Sequence, residues 1–355
     1  MLRSLDIRNY RNLRHLTIGK LGRVNLLVGK NNTGKTSVLE AIYVWANYGR
    51  FQTIYEILET RDGTFESTSE DPQLRAQALL ASLFTNRVSR TKEDSAQITT
   101  DRNGIKSQLT LSLRLMEPAP SEVEITPTRK LLFFEVDSDA DHNIIQPYHI
   151  LDAKTRSDFS FLQPRDIKTQ FIRSNEINTV NVGHLYDEIA TTDWEEEVIY
   201  ALRIIDPRVS KLNFRTDIVS NKRYPIVRLE DSNQQLPLRS MGDGINRILA
   251  IILAMVNCEN GYLLIDEFEN GLHYSVQEKL WEVIFSLAER LNIQVFATTH
   301  SLDCVDAFSA VLNAGSLPPD SGTMIRLENY EDNIVATVYD ADDIQATTRV
   351  QVDPR

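Results

Sequence analysis

The sequence predicts an α/β fold with a parallel-sheet core and a β-rich antiparallel lobe. Three observations carry this expectation. Short, mainly apolar runs at 23–28, 261–266 and 293–299 have the composition of strands buried on both faces, as in parallel sheets. Helical periodicity follows two of them: 35–47 reads as a helix, and 275–291 places Val276, Leu280, Val283, Ile284, Leu287 and Leu291 on one face. Residues 107–115 (SQLTLSLRL) alternate apolar and polar, the pattern of a strand with one wet face.

The remaining elements fall around these. Residues 2–8 alternate as a strand would. From 51 to 104 the chain is polar, with a helix expected at 72–87. Strands are expected at 130–137 and 143–151, a helix at 183–205, strands within 211–229, and a long apolar helix at 240–257. The last 50 residues mix one helix with strand-like pieces. The expected organisation is one domain over 1–355, with a core of about 1–50 and 160–355 and an inserted β-rich and helical region of about 51–160. No repeat, low-complexity tract or sustained heptad pattern is present.

Composition narrows the function classes. The chain of 355 residues is 42% hydrophobic and 25% charged, which excludes collagen-like, disulfide-scaffold and wholly disordered chains. Its formal net charge of −12 argues against coating nucleic acid or anionic membrane by bulk charge, without excluding a local basic groove. Cys258 and Cys304 have no metal-ligand spacing and read as buried small hydrophobes in a reducing cytoplasm. The run Ile248 to Val256 is apolar but far short of the about 20 residues that span a bilayer. The N-terminus lacks the unbroken apolar core of a signal peptide. A cytoplasmic protein without membrane contact is expected.

The strongest chemical signal is Gly29-Lys30-Asn31-Asn32-Thr33-Gly34-Lys35-Thr36, followed by Ser37. It fits G-x-x-x-x-G-K-[ST] between an apolar strand and a helix. Glycines let the backbone curl so that successive N–H groups face phosphate oxygens. The helix aims its positive end at the same anion. Lys35 would reach the β- and γ-phosphates, and the Thr36 hydroxyl would ligate Mg²⁺. A second signal is Tyr262-Leu263-Leu264-Ile265-Asp266-Glu267, an apolar strand delivering two carboxylates at its C-terminal edge. Asp266 would hold the metal, and Glu267 would be the general base that polarises the attacking water.

Two further stretches matter. Arg239-Ser240-Met241-Gly242-Asp243-Gly244 opens the 240–257 helix. Ser240 and Gly242 suit a second anion site there, although Ser240 and Asp243 also have the spacing of a simple capping box. Thr298-Thr299-His300-Ser301 directly follows a buried strand, where a histidine can donate to a γ-phosphate.

Taken with the Asn-Tyr-Arg-Asn-Leu opening (9–13) and LLIDEFENGLH (263–273), these motifs resemble the ABC-type ATPases of the RecF/SMC-like class. The nearest resemblance is to the ATPase domain of the overcome-lysogenisation-defect (OLD) family, without its Toprim nuclease domain. The resemblance covers the anchor points of almost the whole chain, and residues 50–160 match no pattern of the family. It implies a P-loop ABC-ATPase head that binds ATP and Mg²⁺ and works as a homodimer or larger homo-oligomer. Arg11 would approach the nucleotide, with Lys35, Thr36 and Glu267 in the roles above. Ser240 and Gly242 would contact the γ-phosphate held by the opposite protomer. Asn270 and Gly271 would form the loop crossing the dimer seam, and His300 would sense the γ-phosphate. The family's glutamine loop is left between Gln163 and Gln170.

Absences sharpen the picture. Without heptads there are no long coiled-coil arms. The residues after His300 are too few for a Toprim domain. Asp340, Asp342 and Asp343 read as a solvated acidic turn. Asp137-x-Asp139-x-Asp141 reads as a hairpin turn, since a calcium loop would need Gly at His142 and Glu at Tyr148. No NKxD motif appears, so ATP is the expected nucleotide. The leading function is a Mg-dependent ATP-hydrolysing dimeric switch controlling a separately encoded effector, a nuclease or toxin, in anti-phage defence. The alternatives are an ATP-binding scaffold or sensor with little turnover and a RecF-like DNA-repair ATPase. The last would need a basic face from Arg165, Lys168, Arg173, Lys211, Arg215, Lys222 and Arg223.

Overall fold

In the computed structural model, residues 1–62, 71–85, 94–116, 131–139, 141–151, 167–174, 179–217, 223–230, 234–242, 244–314, 317–318 and 320–344 are described. The chain begins with β1 (Ser4–Tyr10), β2 (Leu13–Ile18) and β3 (Val24–Val28), then α1 (Lys35–Ala46), α2 (Phe51–Asp62) and α3 (Pro72–Ala81). Four strands follow, β4 (Asp94–Arg102), β5 (Ile105–Met116), β6 (Leu131–Ser138) and β7 (His142–Ile145), with a 3₁₀ turn at Pro147–Leu151. After β8 (Thr169–Ile172) come α4 (Thr179–Asp187), α5 (Trp194–Ile205), β9 (Val209–Thr216), β10 (Arg223–Leu229) and β11 (Gln235–Pro237). The rest is α6 (Gly244–Val256), β12 (Tyr262–Ile265), α7 (Tyr274–Arg290), β13 (Gln294–Thr298), α8 (Leu302–Leu312), β14 (Gly322–Tyr330) and β15 (Asn333–Tyr339).

The central sheet has the order β15-β14-β3-β13-β12-β8. Five of its strands run parallel, and β15 returns antiparallel along β14. Alternation along each strand feeds two cores. Leu26, Leu263, Ile265, Val295 and Ala297 face one core, with α6, α7 and α8. Leu27, Leu264 and Phe296 face the other, with α1 and α2. A sheet covered on both faces needs apolar residues at every position, which is why these strands lack polar alternation.

The second sheet is wholly antiparallel, in the order β2-β1-β4-β5-β6-β7. Its inner face, including Ile7, Ala96, Ile98, Leu109, Leu111 and Phe134, closes the second core. The lobe is not made by residues 51–160 alone, because β1 hydrogen-bonds to β4 from Ser4↔Asp101 to Arg8↔Gln97. The chain opens in the lobe and then crosses to the central sheet at β3. A third, three-stranded sheet has the order β11-β10-β9.

Several expectations shift in detail. The strand expected at 143–151 stops at Ile145, and Pro147 starts the 3₁₀ turn because its ring removes a ladder donor. The helix expected at 183–205 is two helices, interrupted where Thr192 N–H and Oγ1 both donate to the Ile189 carbonyl. The polar 51–104 region contains α2, whose Phe51, Ile54, Ile57 and Leu58 are buried at helical spacing. Asp340 and Asp343 each accept the other's backbone N–H, at 3.1 and 3.2 Å, so that acidic stretch is a self-capped helix start. Asp137, Asp139 and Asp141 lie at the β6–β7 hairpin, closed by Ser138 N–H to the Asp141 carbonyl at 2.9 Å. Among the described residues no helix is long and apolar enough to cross a membrane.

Candidate functional site

The loop between β3 and α1 is shaped by backbone demands before any ligand is considered. Gly29 has φ 144°, and a Cβ there would stand 2.3 Å from the Leu327 carbonyl oxygen. Gly34 caps α1 at φ 82°, with Leu13 Cδ2 2.6 Å from where a Cβ would lie. Both positions therefore admit only glycine. Thr33 Oγ1 donates to the Lys30 carbonyl at 2.9 Å. Ser37 Oγ donates to Asn12 Oδ1 at 2.8 Å, and Asn12 Nδ2 donates to the Asn32 carbonyl at 3.3 Å. The 10–13 turn thus braces the loop from the lobe side.

Lys35 is buried, with Nζ donating to the carbonyls of Gly29 (2.7 Å) and Lys30 (2.9 Å). Burial pulls its pKa down from the usual 10.5 to about 8, against the opposing pull of Asp266, Glu269 and Glu267. A polyanion beside it would restore the charge.

β12 brings its carboxylates to this loop. Thr36 Oγ1 donates to Asp266, lying 3.1 Å from Oδ1 and 3.2 Å from Oδ2. Thr298 Oγ1 donates to Asp266 Oδ1 at 2.7 Å and accepts the Glu267 N–H at 2.8 Å. A hydroxyl and a carboxylate side by side are hard oxygen donors of the kind that Mg²⁺ takes together with phosphate oxygens and water. Among the described residues no cluster of three His, Cys, Asp or Glu could form a cage of its own, so such an ion would depend on the phosphates.

A cavity of about 370 Å³ opens between these parts. Its wall is the loop from Asn31 to Ser37 together with Arg11 and Asn12, and Glu267 and His300. Four stretches separated in sequence therefore converge on one space, and most of the expected nucleotide-side residues share it. Asp266 and Gly29 do not line it but hydrogen-bond to residues that do, Asp266 to Thr36 and the Gly29 carbonyl to Lys35. Arg11 reaches the wall, but its guanidinium is committed: Nε lies 3.3 Å from Glu40 Oε2, and Nη1 donates to Ser82 Oγ at 2.9 Å. His300 is set by its own N–H, which donates to Glu269 Oε1 at 2.8 Å, while Thr299 Oγ1 donates to Glu269 Oε2 at 2.7 Å.

Ser240, Gly242 and Asn270 do not line this cavity. All three are exposed. Ser240 Oγ donates to the Pro237 carbonyl at 2.6 Å, and Asn270 Nδ2 donates to the Ser174 carbonyl at 2.9 Å. A Cβ at Gly244 would stand 2.9 Å from the Gly271 carbonyl, so the two expected seam segments adjoin each other. Asp243, like Gln163, lies outside the described residues. Gln170 sits inside β8 opposite Leu263 and does not line the cavity. Instead the strand's end meets the site, where the Ile172 carbonyl accepts the Asp266 N–H at 2.8 Å.

The sequence reading passed over Asn12, Glu40, Arg247, Thr298 and Glu269 as site residues. Arg247 had a visible signal, since it is the single charge in the apolar run of α6. Its Nη2 donates to the carbonyls of Asp266 (2.8 Å) and Glu267 (2.7 Å). Of the residues considered for a basic face, Arg223 pairs with Asp187 and Arg173 lies over Phe171. Arg165 and Lys222 are outside the described residues.

Comparison with known proteins gives the family. Residues 24–306 match the family described as "AAA domain, putative AbiEii toxin, Type IV TA system". An ATP/GTP phosphatase of Helicobacter pylori is 24% identical over 345 residues, covering 88% of each chain. The DNA replication and repair protein RecF of Streptococcus pyogenes is 21% identical over 350 residues, covering 85% of this chain and 92% of that one. Among solved structures, an SMC head bound to the C-terminal winged-helix domain of ScpA shares the fold, with TM-score 0.55 at 10% identity over 96% of this chain and 98% of the other. The chain is thus an ATPase of the ABC/RecF/SMC type, and with its matched span running from β3 into α8 it belongs to that AAA-domain family.

Proposed function

We propose that the protein is a Mg²⁺-dependent, dimeric ATP switch. The observation that carries this reading is the meeting of Thr36 and Asp266 at 3.1 Å beneath a cavity walled by the phosphate loop, Glu267 and His300. In this reading Lys35 and the loop's N–H groups grip the β- and γ-phosphates. Thr36 and Asp266 would hold Mg²⁺, which when bound would supply positive charge against the phosphates. Glu267 accepts a proton from the attacking water, contributing about 10²–10⁴-fold, and His300 contacts the γ-phosphate. Ser240, Gly242 and Asn270, exposed and outside the cavity, complete the site of a second protomer. ATP joins two heads and hydrolysis parts them.

The output is a partner effector, a nuclease or toxin encoded separately. The OLD-like motif order supports a role of this kind in anti-phage defence. The deciding variant is Glu267→Gln. It retains ATP binding, loses turnover and accumulates as a closed dimer by light scattering with ATP. Unchanged turnover would reject Glu267 as the base.

A second reading, a DNA-repair clamp, is favoured by the likeness to the RecF of Streptococcus pyogenes along most of both chains. Salt-dependent DNA binding, lost on charge reversal at Lys211 and Arg215, would support it.

A further inference from the structure

Arg247 lies in the first turn of α6 and is 0% exposed. A guanidinium does not shed its proton in proteins, so α6 carries a full positive charge into the core. Desolvation lowers its pKa, and the field of Glu269, Glu267 and Asp266 opposes that fall. Nη2 makes the two carbonyl contacts already described, whereas Nε and Nη1 have no hydrogen-bond partner among the described residues. A buried charge satisfied so incompletely is poor value for stability, since apolar side chains of similar volume generally do as well or better.

What it touches is unusual in turn. Glu267 has φ 49°, in the left-handed region that non-glycine residues rarely adopt and that persists only when its surroundings impose it. The Asp266 carbonyl belongs to the peptide entering Glu267, and the Glu267 carbonyl to the peptide leaving it. One guanidinium nitrogen therefore pins both peptide planes around that α-carbon. Thr298 Oγ1 holds the N–H of the same residue from the other side.

We propose that Arg247 is the positioning residue of Glu267. It holds the left-handed turn that presents the Glu267 carboxylate to the cavity. The helix that supplies this anchor starts at Gly244, two positions after Gly242. The inference rests on the reading of Glu267 as base.

The test is a double-mutant cycle in steady-state ATP hydrolysis with Mg²⁺, on the full chain. Arg247→Met is expected to lower kcat about 10²-fold, the size of effect that slight misplacement of a reacting group produces. Its KM for ATP should stay within about twofold, because ground-state binding is untouched. Arg247→Lys, which keeps the charge and a donor, should recover part of the loss. On a Glu267→Gln background, Arg247→Met should cost less than about twofold more, since residues acting as a unit are not additive. An equal loss with and without the Glu267 carboxylate would overturn the proposal, as would a rise in KM that accounts for the loss. If Arg247→Met does not fold, Arg247→Lys is scored in the same cycle. Full turnover in Glu267→Gln alone would instead reject the base, and the positioning role with it.

Discussion

The Gly29–Ser37 loop and the Ser240–Gly242 segment, the two stretches proposed to contact phosphate, are built in opposite ways. The first is finished within one chain. Lys35 is buried, Thr36 meets Asp266, Ser37 meets Asn12, and two glycines are locked by contacts that exclude any Cβ. The second is exposed. Ser240 Oγ reaches no farther than the Pro237 carbonyl, and Gly242, at φ 119°, has open space around it. A preorganised site binds without first ordering itself, whereas an open one awaits a partner to define it. In the proposed reading, binding falls to the loop and completion of the site to a second protomer.

The strongest attempt to break this contrast is Lys35→Ala. Removing one member of a buried charge pair costs about 2–5 kcal/mol, so ATP affinity by calorimetry should fall at least about thirtyfold. Retention of wild-type affinity would remove the loop from the binding site. Ser240→Arg should do the reverse. It should leave ATP binding near wild type while lowering turnover about 10²-fold, the usual loss when one oxyanion donor is removed. Mixing Lys35→Ala with Ser240→Arg chains should then restore part of the activity, because each mixed dimer keeps one intact composite site. No recovery would argue against a site shared between protomers.

Thr298→Val probes the supports behind the loop. It strips Asp266 of a donor and leaves the part-buried Glu267 N–H without its acceptor, at a cost of about 1–3 kcal/mol. That should appear as a lowered melting temperature together with reduced turnover. The smallest effect is in protons. Lys35 has its pKa at about 8 in the free chain, and bound phosphate raises it. ATP binding at pH 8 should therefore take up roughly half a proton, fading toward pH 6, as read by calorimetry in buffers of different ionisation enthalpy. The stability of the free chain carries the matching sign. The unfolded lysine holds more protons between about 8 and 10.5, so this group adds stability as pH rises through that window.

The legible parts of the molecule were those governed by local chemistry. Strand β3, the loop, α1 and the β12 carboxylates are contiguous patterns whose residue types follow from what each must do. Helix α2 was hidden because its surface is polar while Phe51, Thr53, Ile54, Ile57 and Leu58 turn inward. Strand β4 was hidden because its alternation is carried by small and polar residues, with Ala96, Ile98 and Thr100 facing in. Thr298 and Glu269 look like ordinary neighbours of better-known positions until the folded chain brings them to Asp266 and His300.

By itself the sequence determined the phosphate-loop pattern and the acidic strand end, because each depends on residues within a few positions of one another, and it left Ser240–Gly242 between a second anion site and a helix cap. Only the tertiary structure decided that β1 and β2 belong to the lobe and that Arg11 is held by Glu40. It alone shows Arg247 gripping the backbone of Glu267 from another element. Those facts depend on pairing across as many as 97 residues of chain, as between Ser4 and Asp101, and side-chain periodicity carries no record of which distant partner a strand or a buried charge will find.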